Sequence, residues 1–270
     1  MKLGLTSWSL RGCTTAEAVG IARALGFAGL DLGYFFGPAL SKAAILADPE
    51  GEAARVKALG IAVPNFYHLF GETLADRNLA DARALANNAE DFAKIVRFCA
   101  AADIASVFVL PGICNAGQNR AQALEQSAES LATLLPIAQR EGVTLTVEPH
   151  VHSYLESPAL ALDLLARVPG LKLTLDYAHF VCLGHTQDDI DALAPHAAHV
   201  HVRQARPGAL QTRLSQGTIN MAAMLGTLRG AGYAGWLCVE FVHQDYMDTL
   251  YDDVLTETIA CRDLLRAWLA

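Results

Sequence analysis

Apolar and polar residues along the chain alternate between two rhythms. Short runs dense in aliphatic and β-branched residues are separated by longer stretches whose apolar positions recur at the spacing of one helix face. The first run is Leu3 to Ser7, and a helix should open after it at Thr14-Thr15, where a hydroxyl can cap ahead of Glu17. The second run, Gly29 to Gly33, reads GLDLG; a loop and a helix from Pro49 to Leu59 lead to the third, Ile61 to Phe66. A long helix from Leu79 to Ala102 brings the chain to the fourth run, Ala105 to Leu110, and a helix from Arg120 to Glu141 to the fifth, Val143 to Val147. Pro158 to Val168 is a helix with proline in its first turn, where a missing N–H is harmless. Leu171 to Leu175 follows, then a helix near Asp188 to Leu193 and the seventh run, His199 to Val202. A helix from Met221 to Gly230, the eighth run Trp236 to Val239 and a helix from Asp253 to Leu269 complete the pattern.

Strict alternation of strand and helix favours a parallel sheet with crossover helices. Eight strands is also the number that closes a barrel with a filled interior. The fold class is therefore α/β, a (β/α)8 TIM barrel in a single domain over residues 1–270. The competing arrangement, a doubly wound open sheet, would carry a glycine-rich phosphate loop in its first turn, and Trp8-Ser-Leu-Arg-Gly12 does not match one.

Composition narrows the function classes. At 53% hydrophobic and 18% charged residues the chain has a well-buried interior and is not disordered. A net charge of −8 shows no basic footprint for nucleic-acid phosphates. The start, MKLGLTSWSL, lacks the pattern of a signal peptide, and the most apolar region, Phe98 to Ile113, is interrupted by Asp103 and Pro111, so it does not span a bilayer. Cysteines 13, 99, 114, 182, 238 and 261 form no CxxC pair and read as small core residues of a cytoplasmic protein.

A closed parallel barrel gathers the carboxyl ends of its strands around one opening, so the residues ending each run are the candidates for chemistry. The fifth run ends TVEPHVHS, with Glu148 and His150, and the sixth TLDYAH, with Asp176 and His179. The seventh reads HVHVRQ, with His199, His201 and Arg203, and the eighth ends LCVEF, with Glu240. A single carboxylate after a strand is often only a helix cap. Four consecutive strand ends of this kind change that reading: three carboxylates converging on one centre resist joint ionisation unless a cation joins them. One divalent ion held by oxygens and an imidazole resolves the conflict. Alternation within HVHV turns His199 and His201 inward, and His201, nearer the carboxyl end, is the better ligand. Trp8, Tyr34 and His68 follow the first three strands and are candidates to line a sugar-sized cavity. Arg203, Arg206 and Arg213 can meet a carboxylate or phosphate bidentately, and the 208–220 stretch, GALQTRLSQGTIN, reads as a loop that could cover the pocket.

Taken together, VEPH at Glu148, the DxxH of Asp176 and His179, the HxH at 199 and 201 and the VE at Glu240 give the whole chain a resemblance to the sugar phosphate isomerase/epimerase superfamily. These are the xylose isomerase-like barrels that include ketose 3-epimerases, hydroxypyruvate isomerase and endonuclease IV. The resemblance implies that Glu148, Asp176, His201 and Glu240 hold one divalent metal ion, usually Mn2+, Mg2+, Co2+ or Zn2+. It gives Glu148 and Glu240 the catalytic acid–base roles and has His179 touch the substrate; from their places after the strands, Arg203, Arg206, His68, Trp8 and His150 are further substrate-binding candidates. The implied enzyme is an isomerase or epimerase that moves a proton α to a metal-bound carbonyl of a small sugar, sugar acid or sugar phosphate. A dehydratase of the dehydroshikimate or inosose type is the alternative on the same ligands. Ketose 3-epimerases carry an arginine six residues beyond the metal histidine; this chain has Pro207 there, with Arg203 and Arg206 as the replacements at hand. Endonuclease IV needs a three-metal cluster with histidines at early strand ends, of which His68 is the main candidate here. The expected partner is a small molecule rather than nucleic acid or a membrane, and a homo-oligomer is compatible with the resemblance.

Overall fold

Eight parallel strands close on themselves in the computed structural model of the protein, which describes residues 1–34, 40–243, 245, 247, 249 and 253–269. The strands are β1 (Lys2–Thr6), β2 (Gly29–Gly33), β3 (Asn65–His68), β4 (Ser106–Val109), β5 (Thr144–Val147), β6 (Lys172–Asp176), β7 (Ala197–Val202) and β8 (Trp236–Val239). Between and after them run α1 (Thr15–Ala24), α2 (Lys42–Ala47), α3 (Pro49–Ala58), α4 (Leu85–Ala101), α5 (Arg120–Arg140), α6 (Pro158–Arg167), α7 (Tyr177–Cys182), α8 (Gln187–Asp191), α9 (Met221–Gly230) and α10 (Val254–Leu269). Each strand pairs with its successor, and β1 pairs with β8, Lys2 opposite Trp236, so the sheet has no open edge and the doubly wound alternative is excluded.

Helix starts follow the predicted chemistry. Thr14 caps α1 in a reciprocal box with Glu17, Asn119 does the same for α5 with Gln122, and Ser157 caps α6 ahead of Pro158. Several boundaries differ from the sequence reading, three of them for a physical reason. The third strand begins at Asn65 rather than Ile61, because Pro64 cannot donate to a ladder and the Ile61–Pro64 segment makes only an isolated bridge, Gly29 to Ala62. The long fourth helix opens later than Leu79, with a 3-10 turn at Ala82–Ala84 that Asp81 caps, leading straight into α4. The seventh strand starts two residues early, and its register against β6 slips between Leu173 and Thr174, so Leu173 pairs with Ala197 but Thr174 with His199. That bulge sets His201 directly beside Asp176.

Strand alternation divides the interior in two. Outward residues such as Leu5, Leu30, Val107, Leu145, Leu173, Val200 and Leu237 pack with the helices into the main apolar core. Inward residues are mostly polar: Ser106 donates to Asn65 (2.8 Å), Asn65 donates to Thr174 (3.2 Å), and the hydroxyls of Thr174 and Thr146 share a bond of 2.8 Å. Every one of these is buried, so the belt keeps polar atoms inside the barrel without leaving them unpaired. Gly4 allows β1 and β8 to close, since a Cβ there would run into Cys238 Sγ. Among the described residues, no helix is long and apolar enough to cross a membrane.

Candidate active site

His201 is the hub of the inward-facing charges at the carboxyl end of the barrel. Its Nδ1 lies 2.7 Å from Glu148 Oε1 and 3.1 Å from Glu240 Oε2, and its Nε2 lies 3.3 Å from Asp31 Oδ2. Asp31 Oδ2 in turn is 2.6 Å from His199 Nε2. Two candidate cation sites therefore share one imidazole: Glu148, His201 and Glu240 above, Asp31, His199 and His201 below. Of these two the upper group reaches the cavity at the barrel mouth, which Glu148 and Glu240 line, as do Glu148 and His150 of a third candidate group among the described residues, Glu148, His150 and His179. The lower group is sealed, with Asp31 wholly buried and both histidines at 1% exposure. An imidazole that points one nitrogen at a metal and gives its other N–H to a carboxylate is the usual way such a ligand is oriented. Asp31 occupies that second position, and His199 holds Asp31.

Asp176 is placed differently. It caps α7, accepting from Ala178 N–H at 2.8 Å through Oδ1, while its Oδ2 accepts from Arg203 Nε at 3.0 Å and Nη2 at 2.7 Å. Of the four residues read from the sequence as ligands, three donor atoms converge and the fourth is held by an arginine. Arg203 Nη2 also lies 3.1 Å from His179 Nε2, while Val151 N–H faces His179 Nδ1 at 3.3 Å. Both ring nitrogens of His179 thus face donors, and a neutral imidazole offers only one lone pair.

Charge and burial act against each other throughout. Burial pushes the Glu148 carboxyl up to about 7, with Glu240 and Asp176 adding to the rise and His201 opposing it. Burial would raise Glu240 as well, but Arg203, His201 and the Trp8 indole together bring it down to about 2. For His201 burial disfavours the charged ring, yet Glu240, Glu148 and Asp31 more than reverse this and hold it well above the ordinary histidine range. Burial, with the charges of His150 and Arg203, pushes His179 well below that range. His150 falls to about 4, again chiefly through burial. His150 Nδ1 donates to the Val151 carbonyl at 2.6 Å, so a neutral ring turns an Nε2 lone pair elsewhere.

The remaining sequence candidates divide. Trp8 lines the cavity, and its indole N–H donates to Glu240 Oε1 at 2.7 Å, so it holds a carboxylate as well as offering a ring face. His150 and Arg203 line the cavity too, and the His179 ring packs on His150 with centroids 4.1 Å apart and planes tilted by 41°. His68 does not: it is one residue off the inward parity of Asn65 and Tyr67, packs against Phe70 and Phe92 in the helical layer and bonds to Tyr34. Arg206 is exposed on the turn where it bridges Ala209, outside the cavity lining. The 208–220 stretch is not a cover. Gln204 binds Ile219 through both backbone groups and Gln211 binds Val242 likewise, which pins the stretch beside β7 and β8. Tyr67 and Asp31 were missed. The signal for Asp31 was available, a lone carboxylate between two leucines in GLDLG whose alternation turns it inward.

A family model described as xylose isomerase-like TIM barrel matches residues 19–260, and the chain belongs to that family. Solved structures similar to it include the IolI protein with a bound zinc atom, at 16% identity and TM-score 0.76, covering 99% of this chain and 98% of that one. A D-psicose 3-epimerase solved in the presence of D-fructose is similar at 17% identity and TM-score 0.74, covering 99% and 98%. The probable 3-DHS dehydratase AsbF of Bacillus anthracis is similar at 15% identity and TM-score 0.71, covering 97% and 99%. At these identities the likeness establishes the fold alone. No curated protein sequence matches the chain.

Proposed function

We infer that the chain is a divalent-metal-dependent isomerase or epimerase acting on a small sugar-like hydroxycarbonyl compound. The observation that carries this reading is the His201 ring between two cavity-lining carboxylates, 2.7 and 3.1 Å away, with Glu240 Oε2 buried and without a hydrogen-bond partner. The proton on His201 Nδ1 occupies the place a cation would take, and the residues fit one. Glu148, His201 and Glu240 would hold it, and Asp176 is proposed as the fourth ligand, exchanging Arg203 for the ion. Carboxylate oxygens with one imidazole suit Mn2+, Mg2+, Co2+ or Zn2+. When bound, the ion supplies Lewis acidity to a carbonyl whose α proton is leaving.

The protein's own groups do the rest. Glu148 directly follows β5 and Glu240 directly follows β8, so one can take a proton from a carbon and the other return it. Return to the opposite face inverts the centre, and return to the neighbouring carbon isomerises the compound. Arg203, once released from Asp176, presents a planar fork to a substrate carboxylate or oxyanion. Its departure also relieves His179 of the second donor. His150 Nε2 can accept from a hydroxyl.

Metal analysis of the purified protein, followed by a screen of ketoses for deuterium uptake from D2O, tests the reading. Wild type should exchange an α hydrogen, and Glu148→Gln or Glu240→Gln should not; exchange unchanged in both variants would remove the acid–base assignment. The similarity to a probable dehydratase keeps water loss in the assay, read as the absorbance of a conjugated product. We further propose that the protein works in the cytoplasm on a small molecule, binding neither nucleic acid nor membrane; light scattering tests whether it forms a homo-oligomer.

A further inference from the structure

The cavity above the carboxylates is small and one-sided. It measures about 210 Å3, below the size of a site for drug-like ligands. Among the described residues, one wall consists of Trp8, Tyr67, Leu69, Leu74, Phe108 and Leu110. Tyr67 and Phe108 stack with centroids 4.5 Å apart and planes 10° from parallel, and Trp8 meets both at 5.7 and 6.0 Å. This is a second apolar cluster, separate from the core beneath the helices, and its open side is the cavity. It also begins at the centre itself, since the rings of Trp8 and Phe108 lie 5.7 and 5.3 Å from the ring of His201.

The polar wall is short. Once Glu148 and Glu240 are assigned to the cation and the proton, the described lining offers Arg203, His150, His152 and the Tyr67 hydroxyl as further side-chain polar groups. No Asn, Gln, Ser, Thr or Asp is among the described lining residues. His152 stands at the rim with φ 65°, a left-handed conformation, and its backbone N–H is tied to Glu156 at 2.9 Å. An open-chain sugar presents a hydroxyl on nearly every carbon. Aromatic rings can cover the C–H face of such a molecule, but its hydroxyl edge then needs several convergent partners, and a wall of Leu69, Leu74 and Leu110 supplies none.

We propose that the substrate is a hydroxycarbonyl compound with a deoxy or methyl-bearing far end, rather than a chain hydroxylated to its last carbon. This rests on the isomerase or epimerase reading for the reacting end. The far end is argued from the wall alone.

The test is calorimetric binding to the metal-loaded protein of two probes, a ketohexose and its 6-deoxy analogue. The 6-deoxy compound should bind about ten- to a hundred-fold more tightly, the range over which an apolar pocket rejects an added hydroxyl. Leu74 is only half buried, so Leu74→Asn should fold and should shrink that ratio at least threefold by giving the hydroxyl a partner. Equal or tighter binding of the ketohexose, or binding of neither probe, overturns the proposal. The two readings fail separately. Preference for the deoxy probe without α-hydrogen exchange sinks the isomerase reading and keeps the substrate class, whereas exchange that favours the polyhydroxyl ketose does the reverse.

Discussion

Two arcs of the barrel mouth share one construction and have opposite characters. From β5 to β8 the inward residues at the strand ends are Glu148, Asp176, His201, Arg203 and Glu240, each no more than 7% exposed. After β1 and along β3 and β4 they are Trp8, Tyr67 and Phe108. The same in–out alternation delivers both sets, so the difference lies in what each must satisfy. Buried charges are tolerated only when each meets another, and the charged arc is a closed chain of such meetings from His199 through Asp31 and His201 to Glu240. The aromatic arc has little to satisfy, and by excluding water it strengthens every electrostatic contact opposite. They join where the Trp8 N–H meets Glu240.

The comparison assigns chemistry to one arc and environment to the other, and the largest expected effect lies in breaking that division. Glu148→Gln and Glu240→Gln should each lower the rate of α-hydrogen exchange by about 100- to 10,000-fold, the range for loss of a positioned acid or base. Phe108→Leu, across the cavity, should stay within about tenfold of wild type, since an apolar swap keeps water out. Comparable losses in all three, measured at saturating metal, would erase the distinction.

The second effect tests whether the lower half of the charged arc is support rather than a ligand set. Asp31→Asn removes the carboxylate behind His201 while keeping its shape. Metal affinity, measured by competition with a chromophoric chelator, should fall about 10- to 100-fold with one ion still bound per chain. His199→Gln should have a smaller effect in the same direction, because His199 contacts Asp31 and lies outside the upper donor group. Complete loss of binding in both variants would instead place the ion at Asp31, His199 and His201.

The two arcs also differ in how well they could be read from the sequence. Polar residues ending apolar runs stand out, so Glu148, Asp176, His201 and Glu240 were visible, and the alternation of strands and helices made the closed barrel legible. Aromatic residues at strand ends look like the strands themselves. Tyr67 was hidden in this way, and the boundary error at Pro64 brought His68 forward in its place. Pairing was illegible for a different reason. Nothing local to HVHVRQ or TLDYAH says that Arg203 holds Asp176, because that contact depends on the register slip between β6 and β7. Asp31 lies 168 residues from His199, and their contact exists only once the barrel has closed.

Trp8→Phe sharpens the junction of the arcs with a third, smaller effect. The ring and most of the packing stay, while Glu240 Oε1 loses the indole N–H at 2.7 Å. An acceptor left unpaired in a buried site costs about 1–3 kcal/mol, so exchange should slow by roughly tenfold. Phe108→Leu changes the same wall without touching a hydrogen bond, and the gap between the two variants isolates the contribution of the N–H. Equal rates for the two would mean that Trp8 acts as a ring alone.

The smallest effect sets the baseline for the others, because any substitution that loosens the barrel could lower activity without touching either arc. Thr14 caps α1 in a reciprocal box, its hydroxyl accepting from Glu17 N–H while the Glu17 carboxylate accepts from the Thr14 backbone. That bond set lowers the Glu17 pKa below the ordinary carboxylate range, chiefly through the Thr14 backbone N–H, at a solvent-exposed position. Thr14→Ala removes the hydroxyl that caps the helix and should cost about 1 kcal/mol in denaturant unfolding at neutral pH. A depressed carboxylate pKa contributes stability above its unfolded value and loses it as pH falls through the folded one; Thr14→Ala keeps the backbone N–H and loses the hydroxyl's bond to Glu17, so only that smaller part of the difference from wild type should narrow in acid. Exchange rate and metal affinity per folded molecule should match wild type. If this variant slowed exchange as much as Trp8→Phe, the slowing in Trp8→Phe would have to be assigned to weakened packing rather than to the hydrogen bond on Glu240.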